Sequence, residues 1–210
     1  MSAILARLME KYPDLGGCEG QIAEAFEALR RTFAGGGKLL LAGNGGSAAD
    51  CEHVVGELMK GFMSKRPVPA EMRDKLAMYG EAEADYLAGH LQGALPAISL
   101  VSQSALSTAF INDVAADMVF AQQVYGYGRP GDALLVFSTS GNSLNVVRAV
   151  QVAKAVGLTT IAMTGESGGR LKELCDIAIR VPYTSTPDIQ ERHLPIYHAL
   201  CMMLEEAFFG

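Results

Sequence analysis

Five apolar runs, at residues 38–42, 97–101, 133–137, 159–163 and 177–181, have the length and composition of buried strands, and helical patterns fall between several of them. Runs that stay apolar belong to strands covered on both faces, which is the situation in a parallel sheet. Strand and helix alternating in this way predicts one α/β unit with helices on both sides of a parallel sheet. Helices are predicted over 114–125, over 143–156, briefly near 170–174, and over about 187–209, with Thr186 as the cap and Pro187 in the first turn. Pro195 is expected to bend that last helix or break it.

Ahead of the first strand, Ile22, Phe26, Leu29 and Phe33 line one side of an amphipathic helix over 20–34 that three glycines end. A shorter apolar-faced segment with Ile4, Leu5 and Leu8 precedes it. Residues 60–96 are the least regular part, with Pro67, Pro69, a charged stretch and two glycines, and they read as a loop with short helical pieces. A lid, a subunit contact and an inert insertion are all open for that stretch. No repeat or linker divides the 210 residues, so a single domain over 1–210 is expected, with 1–34 as added N-terminal helices.

Composition narrows the classes of function. Half of the residues are hydrophobic and 19% are charged, and no apolar run approaches the ~18 residues of a membrane span. A net charge of -6 with no Lys/Arg cluster argues against nucleic acid as a partner. The start of the chain is charged too early for a secretory signal, and Cys18, Cys51, Cys175 and Cys201 show no CxxC spacing. A cytoplasmic location and reduced thiols are the expectation.

Four stretches carry chemistry. The first, Gly43-Asn44-Gly45-Gly46-Ser47, lies between the first strand and a helix, where small residues let the backbone approach a ligand and a helix amino terminus favours an anion. It matches neither GxGxxG nor GxxxxGK[ST], so no nucleotide is specified. Further along that helix His53 and Glu57 stand four residues apart on one face, a pairing suited to metal ligation, to proton transfer, or simply to a solvated surface pair. The second stretch offers Ser138, Thr139, Ser140 and Ser143, four hydroxyls within six residues at a helix start, more than capping alone requires, and predicts a phosphate cradle. The third, Asn112-Asp113, meets sugar hydroxyls or supplies a helix cap, and locally the cap is the stronger reading. In the fourth, Gln190 and His198 fall about 80° apart around a helix axis at about 100° per residue, close enough to converge on one pocket.

Together these residues resemble the sugar isomerase (SIS) domain family, and most closely its phosphoheptose isomerases. The resemblance rests on GNGGSAADCEH with Glu57, on Asn112-Asp113, on STSGNS at 138–143, on TGESGG at 164–169, and on Gln190 with His198. It implies a three-layer α/β/α sandwich with a five-stranded parallel sheet of flavodoxin-like kind, and a homotetramer whose active sites lie between subunits. It assigns the sugar phosphate to Asn44, Gly45, Gly46, Ser47, Asn112, Asp113, Ser138, Thr139, Ser140, Ser143 and Gln190. It assigns one zinc per subunit to His53, Glu57, Gln190 and His198, with Glu57 and His198 in acid–base roles. The implied reaction turns sedoheptulose 7-phosphate into D-glycero-D-manno-heptose 7-phosphate through an enediol, with Glu57 moving the carbon-bound proton and His198 serving the oxygens. A zinc-bound carboxylate is a weaker base, which sets the two roles of Glu57 against each other. Residues 60–96 are longer and more polar than the pattern implies, and they adjoin the sugar end. The alternatives are a non-catalytic module that binds a sugar phosphate or a protein partner as a regulator, and an assembly protein. Retention of His53, Glu57, Gln190 and His198 favours the enzyme.

Overall fold

A computed structural model describes residues 2–210. Its strands are β1 (Leu39–Gly43), β2 (Ala97–Ser99), β3 (Ala133–Phe137), β4 (Thr159–Thr164) and β5 (Ile177–Arg180). They form one parallel sheet in the order β2-β1-β3-β4-β5. Both faces are covered. Leu39, Leu41, Leu135, Phe137, Ile161 and Ile179 pack against α1 (Ala3–Lys11), α2 (Glu19–Ala34), α3 (Gly46–Met59) and α10 (Thr186–Phe209). Leu40, Ala42, Leu134, Val136 and Ala162 pack in one cluster with α7 (Val119–Tyr127), α8 (Leu144–Val156) and Leu171 of the short α9 (Leu171–Leu174). All five residues of β1 and of β3 are buried, which is why their sequences read as unbroken apolar runs.

The chain leaves β1 for β2 on one side and β3 lies on the other, so the sheet's winding reverses between β1 and β3. In open α/β sheets the crevice at the carboxyl ends of such a pair is where ligands bind. The glycine turn follows β1 and the serine-rich turn follows β3, so both border this crevice.

Several expectations need correction. β2 is three residues long, not five, and stops at Ser99. The helix expected over 114–125 begins instead as a 3-10 turn, Ala116–Met118, before α7, and an unforeseen helix, α6 (Ser104–Asp113), precedes it. Asp113 therefore closes a helix and caps none, because the hydroxyl-rich 104–108 stretch is helical at the surface. The cap of α10 is Ser185, whose hydroxyl accepts from Asp188 N; Thr186 is already helical. Pro195 does not break α10: Ile189 and His193 before it, and Ile196, Tyr197 and Leu200 after it, are buried, and that packing outweighs the one hydrogen bond proline removes.

Residues 60–96 fold as a helical hairpin, α4 (Ala70–Leu76) and α5 (Glu81–His90), the short helical pieces that the sequence predicts there. Its base is closed by a bridge between Pro67 and Gln92, by Gly93 N donating to Arg66 O at 2.6 Å, and by Gly61 N donating to Gln92 Oε1 at 2.6 Å. Arg66 is 1% exposed. Its guanidinium donates to Glu205 Oε1 at 2.8 Å, to Leu58 O at 2.7 Å and to Glu57 O at 3.0 Å, and it lies over the Phe209 ring. Burial alone would raise the Glu205 carboxyl, but the Phe62 and Met63 N–H groups and the Arg66 guanidinium together hold it below the usual carboxylate range. Glu205→Gln would keep the shape and leave the arginine cation buried without its counter-charge. Denaturant unfolding followed by circular dichroism is expected to show a loss of about 3–5 kcal/mol; a loss under ~1 kcal/mol, as for an exposed pair, would contradict it.

Candidate active site

The hydroxyl-rich turn after β3 is held by a second turn. Gly141 sits at φ +66°, and a side chain there would collide with the Gly168 carbonyl. Gly165 N donates to Thr139 O at 3.0 Å, Leu171 N to Gly141 O at 3.1 Å and Arg170 N to Asn142 Oδ1 at 3.0 Å. TGESGG at 164–169 thus buttresses the serine turn from behind. Ser143 occupies the N-cap position of α8, yet its hydroxyl makes no cap; Ser138 Oγ donates to Ser143 Oγ at 3.2 Å instead. Hydroxyls released from capping, at the amino end of a 13-residue helix, form a donor-rich concavity for an anion.

Across the crevice, Asn44 and Asn145 exchange hydrogen bonds at 3.0 and 2.9 Å, joining the glycine turn to the first turn of α8. Gly45 is the N-cap of α3. Gly46 lies under the Gln190 amide: a Cβ there would stand 2.7 Å from Nε2 and 3.0 Å from Oε1. Gly46 is thus what lets α10 lay Gln190 on the turn. Ser47 is 3% exposed, beneath the turn instead of lining its open side. Asn112 and Asp113 are exposed at the end of α6 and bond to each other at 2.8 Å; among the described residues no hydrogen bond ties them to either turn.

The imidazole–carboxylate cluster stands where α3 and α10 pack together. His53 Nε2 is 3.2 Å from Glu57 Oε1 and 3.4 Å from His198 Nε2. Tyr197 Oη is 3.0 Å from His53 Nδ1 and 3.2 Å from Asp50 Oδ1. Burial, helped by the charge on His53 and partly opposed by Glu57, holds His198 below the ordinary imidazole value, so it is neutral near pH 7. Burial raises the Asp50 carboxyl, the Tyr197 hydrogen bond and His53 opposing. Burial also raises the Tyr197 phenol, with Asp50 adding to it. Glu57 Oε2 is buried with no hydrogen-bond partner, and Lys60 Nζ stands 3.8 Å away. Arg66 adds a positional constraint by donating to the Glu57 and Leu58 carbonyls.

Among the described residues, no group of three or more His, Cys, Asp or Glu side chains is placed to hold a metal ion. The structure brings His53, Glu57 and His198 together and places Gln190 over Gly46. Two cavities flank them. A polar one of about 470 Å³ lies between Thr139–Ser140, Gly165–Ser167 and Tyr183–Thr186, beside the serine turn. An apolar one of about 330 Å³ lies between α1 and α10 with His198 on its lining. Asp50, Tyr197, Asn145 and Arg66 are functional candidates that sequence reading passed over. Asp50 and Tyr197 were within reach, being one helical turn before His53 and next to His198; Asn145 and Arg66 acquire partners only in the fold.

These features define a class: a doubly wound α/β protein with a neutral anion cradle at the β1/β3 crevice and an imidazole–carboxylate pair beside it. Residues 76–165 match the family model described as SIS domain. The chain is 38% identical over 193 residues to phosphoheptose isomerase of Rhodospirillum rubrum, covering 92% of this chain and 89% of the relative. The structure of a phosphoheptose isomerase from Francisella tularensis superposes with a TM-score of 0.77 at 32% identity, covering 93% of this chain and 91% of that one. That of phosphoheptose isomerase GmhA from Neisseria gonorrhoeae gives 0.74 at 30% identity, covering 96% and 94%. The chain belongs to the phosphoheptose isomerase family.

Gly46→Ala pushes the Gln190 amide off the turn and is expected to lower kcat/KM about tenfold or more with unchanged melting, since an ångström of misplacement is enough to cost that much. His193 is fully buried against Phe137, its Nδ1 has no partner, and burial pushes it down to about 4. The unfolded chain, with an ordinary value of about 6.5, takes up the proton first, so stability is whole above that value and falls between about pH 6.5 and 4. By pH 4.5 the loss from this one group is about 2.5 kcal/mol. His193→Phe should flatten that part of the stability–pH curve; an unchanged slope would refute the assignment.

Proposed function

We propose that the chain is an aldose–ketose isomerase interconverting sedoheptulose 7-phosphate and D-glycero-D-manno-heptose 7-phosphate. The observation that carries this reading is the Glu57–His53–His198 cluster beside a crevice whose other wall is the hydroxyl-rich start of α8. The phosphate is received by Ser138, Thr139, Ser140 and Ser143, and the sugar runs from there past Asn44, Gly46 and Gln190 towards Glu57, with Asn112 and Asp113 reserved for its hydroxyls. Anchoring the phosphate fixes which carbon meets the base.

Isomerisation moves one proton between adjacent carbons and one between their oxygens. Glu57 takes the carbon-bound proton and returns it to the neighbouring carbon. A neutral His198 gives a proton to one oxygen and takes one from the other, which suits an imidazole held below its ordinary value. The imidazole and carboxylate donors of His53, Glu57 and His198 are of the type zinc takes and would hold one if drawn together around it, while Gln190 lies over Gly46. When bound, zinc supplies Lewis-acid polarisation of the substrate oxygens. Glu57 Oε1 faces that set, while Oε2 keeps its lone pairs uncommitted for the proton.

The same reading places the site between subunits of a homotetramer, supported by the apolar α1–α10 cavity that opens beside His198. The hairpin over 67–92 hangs from the end of α3 beside Glu57, a position suited to walling the sugar end. Four buried free cysteines support a reducing, cytoplasmic setting, and among the described residues no helix is long and apolar enough to cross a membrane. Incubating the zinc-loaded protein with sedoheptulose 7-phosphate should produce the anomeric proton signals of an aldoheptose phosphate by NMR. Glu57→Gln is expected to lower turnover about 10²–10⁴-fold while leaving sugar-phosphate binding intact. No turnover by folded, metal-bound wild type would favour the sugar-phosphate-binding regulator, and full activity in the Gln variant would remove Glu57 as the base.

A further inference from the structure

We propose that Asn145 is a positioning residue for the anion cradle: it takes over the helix cap that Ser143 would otherwise make, and so leaves the Ser143 hydroxyl free for a phosphate. Its role rests on the reading of the serine turn as that cradle.

Ser143 stands at the N-cap of α8 with non-helical backbone, φ -57° and ψ 116°, and its carbonyl accepts from Val147 N at 2.9 Å. A serine in that position ordinarily lays its hydroxyl over the helix and accepts from the N–H two or three residues on. Here the N–H three residues on, that of Val146, donates to Asn145 Oδ1 at 3.0 Å instead. Val146 is fully buried, so its N–H must find a partner within the protein. With that donor satisfied, Ser143 Oγ turns away from the helix and accepts from Ser138 Oγ at 3.2 Å. Ser138 is buried, and the reverse direction would leave its proton without an acceptor. The Ser143 proton is therefore the one left to donate outward.

Asn145 serves as a cap because its amide is held one way round. Nδ2 turned to Val146 N would set two donors against each other, so Oδ1 faces the helix. Asn44 locks that orientation: Asn44 Nδ2 donates to Asn145 Oδ1 at 3.0 Å, and Asn145 Nδ2 donates to Asn44 Oδ1 at 2.9 Å. Both acceptor positions of Asn145 Oδ1 are thereby filled. The glycine turn after β1 thus enforces the cap of the helix after β3, and the two sides of the crevice share one hydrogen-bonded chain from Asn44 to the first turn of α8.

The test titrates inorganic phosphate into the full-length protein by calorimetry, a measurement that needs no turnover. In Asn145→Ala the Ser143 hydroxyl falls back onto Val146 N, and phosphate affinity should drop about tenfold, the worth of one hydrogen bond to an anion. Ser143→Ala should lower it by a similar factor. The double variant should fall no further than the lower single, because Asn145 acts through Ser143. Amide hydrogen exchange gives a second readout: the Val146 N–H should be protected in the wild type and in each single variant, and lose protection only when both caps are gone. Asn145→Leu, similar in size, carries the same readouts should the Ala variant not fold. Losses that multiply in the double variant, or a folded Asn145 variant with unchanged phosphate affinity, would overturn the role of Asn145 while leaving the cradle standing. A folded wild type that binds no phosphate would overturn the cradle and the role of Asn145 with it.

Discussion

The buried pair between Arg66 and Glu205 is the constraint on which the site depends. One guanidinium closes the carboxyl end of α3 by taking the Glu57 and Leu58 carbonyls, and its counter-ion belongs to the last turns of α10. α3 carries His53 and Glu57, and α10 carries Gln190, Tyr197 and His198. The two helices come from opposite ends of the chain, so their relative position is set by long-range contacts alone. A buried charge pair is an expensive way to fix that position, since desolvation consumes much of the attraction. What it adds over an apolar contact is direction: the fork geometry of arginine allows one arrangement of the Glu57 backbone relative to α10.

The crevice has two walls with different electrostatic character. On the β3 side, hydroxyls at a helix start offer donors suited to an anion with no full positive charge among them. On the α3–α10 side, two imidazoles and a carboxylate converge within 3.4 Å. The Asn44–Asn145 amide pair and Gln190 over Gly46 span the gap between the walls. These links hold the serine turn and the α3–α10 cluster at a fixed separation across the crevice.

Much of this was legible in the sequence because the signals were local. β1 and β3 announced themselves as apolar runs since both faces are covered, and the glycine and serine turns are contiguous motifs at strand ends. That His53 and Glu57 share a face follows from helical spacing, which left a plain surface pair open as well. Gln190 and His198 share a helix as expected, although the measured contacts take Gln190 to Gly46 and His198 to His53. What failed had non-local causes. Arg66 and Glu205 lie 139 residues apart, and nothing near either one marks it as buried. Ser104–Asp113 is helical against its polar, hydroxyl-rich start, which made Asp113 look like a cap. Ser185 and Thr186 are equally good caps by composition, and only backbone geometry separates them. Pro195 is tolerated because burial on both sides of it was invisible to a local rule.

The closed base of the 60–96 hairpin has an evolutionary consequence. Gly61 and Arg66 on one side meet Gln92 and Gly93 on the other, so the chain leaves and re-enters the fold at nearly one point. Lengthening a loop whose ends are already joined costs only about 0.6 kcal/mol per doubling. Segments of different length and composition can therefore be exchanged above this knot while the α3–α10 register below it stays fixed. The rim beside Glu57 can thus change in sequence and length without the His53, Glu57 and His198 side chains having to be repositioned.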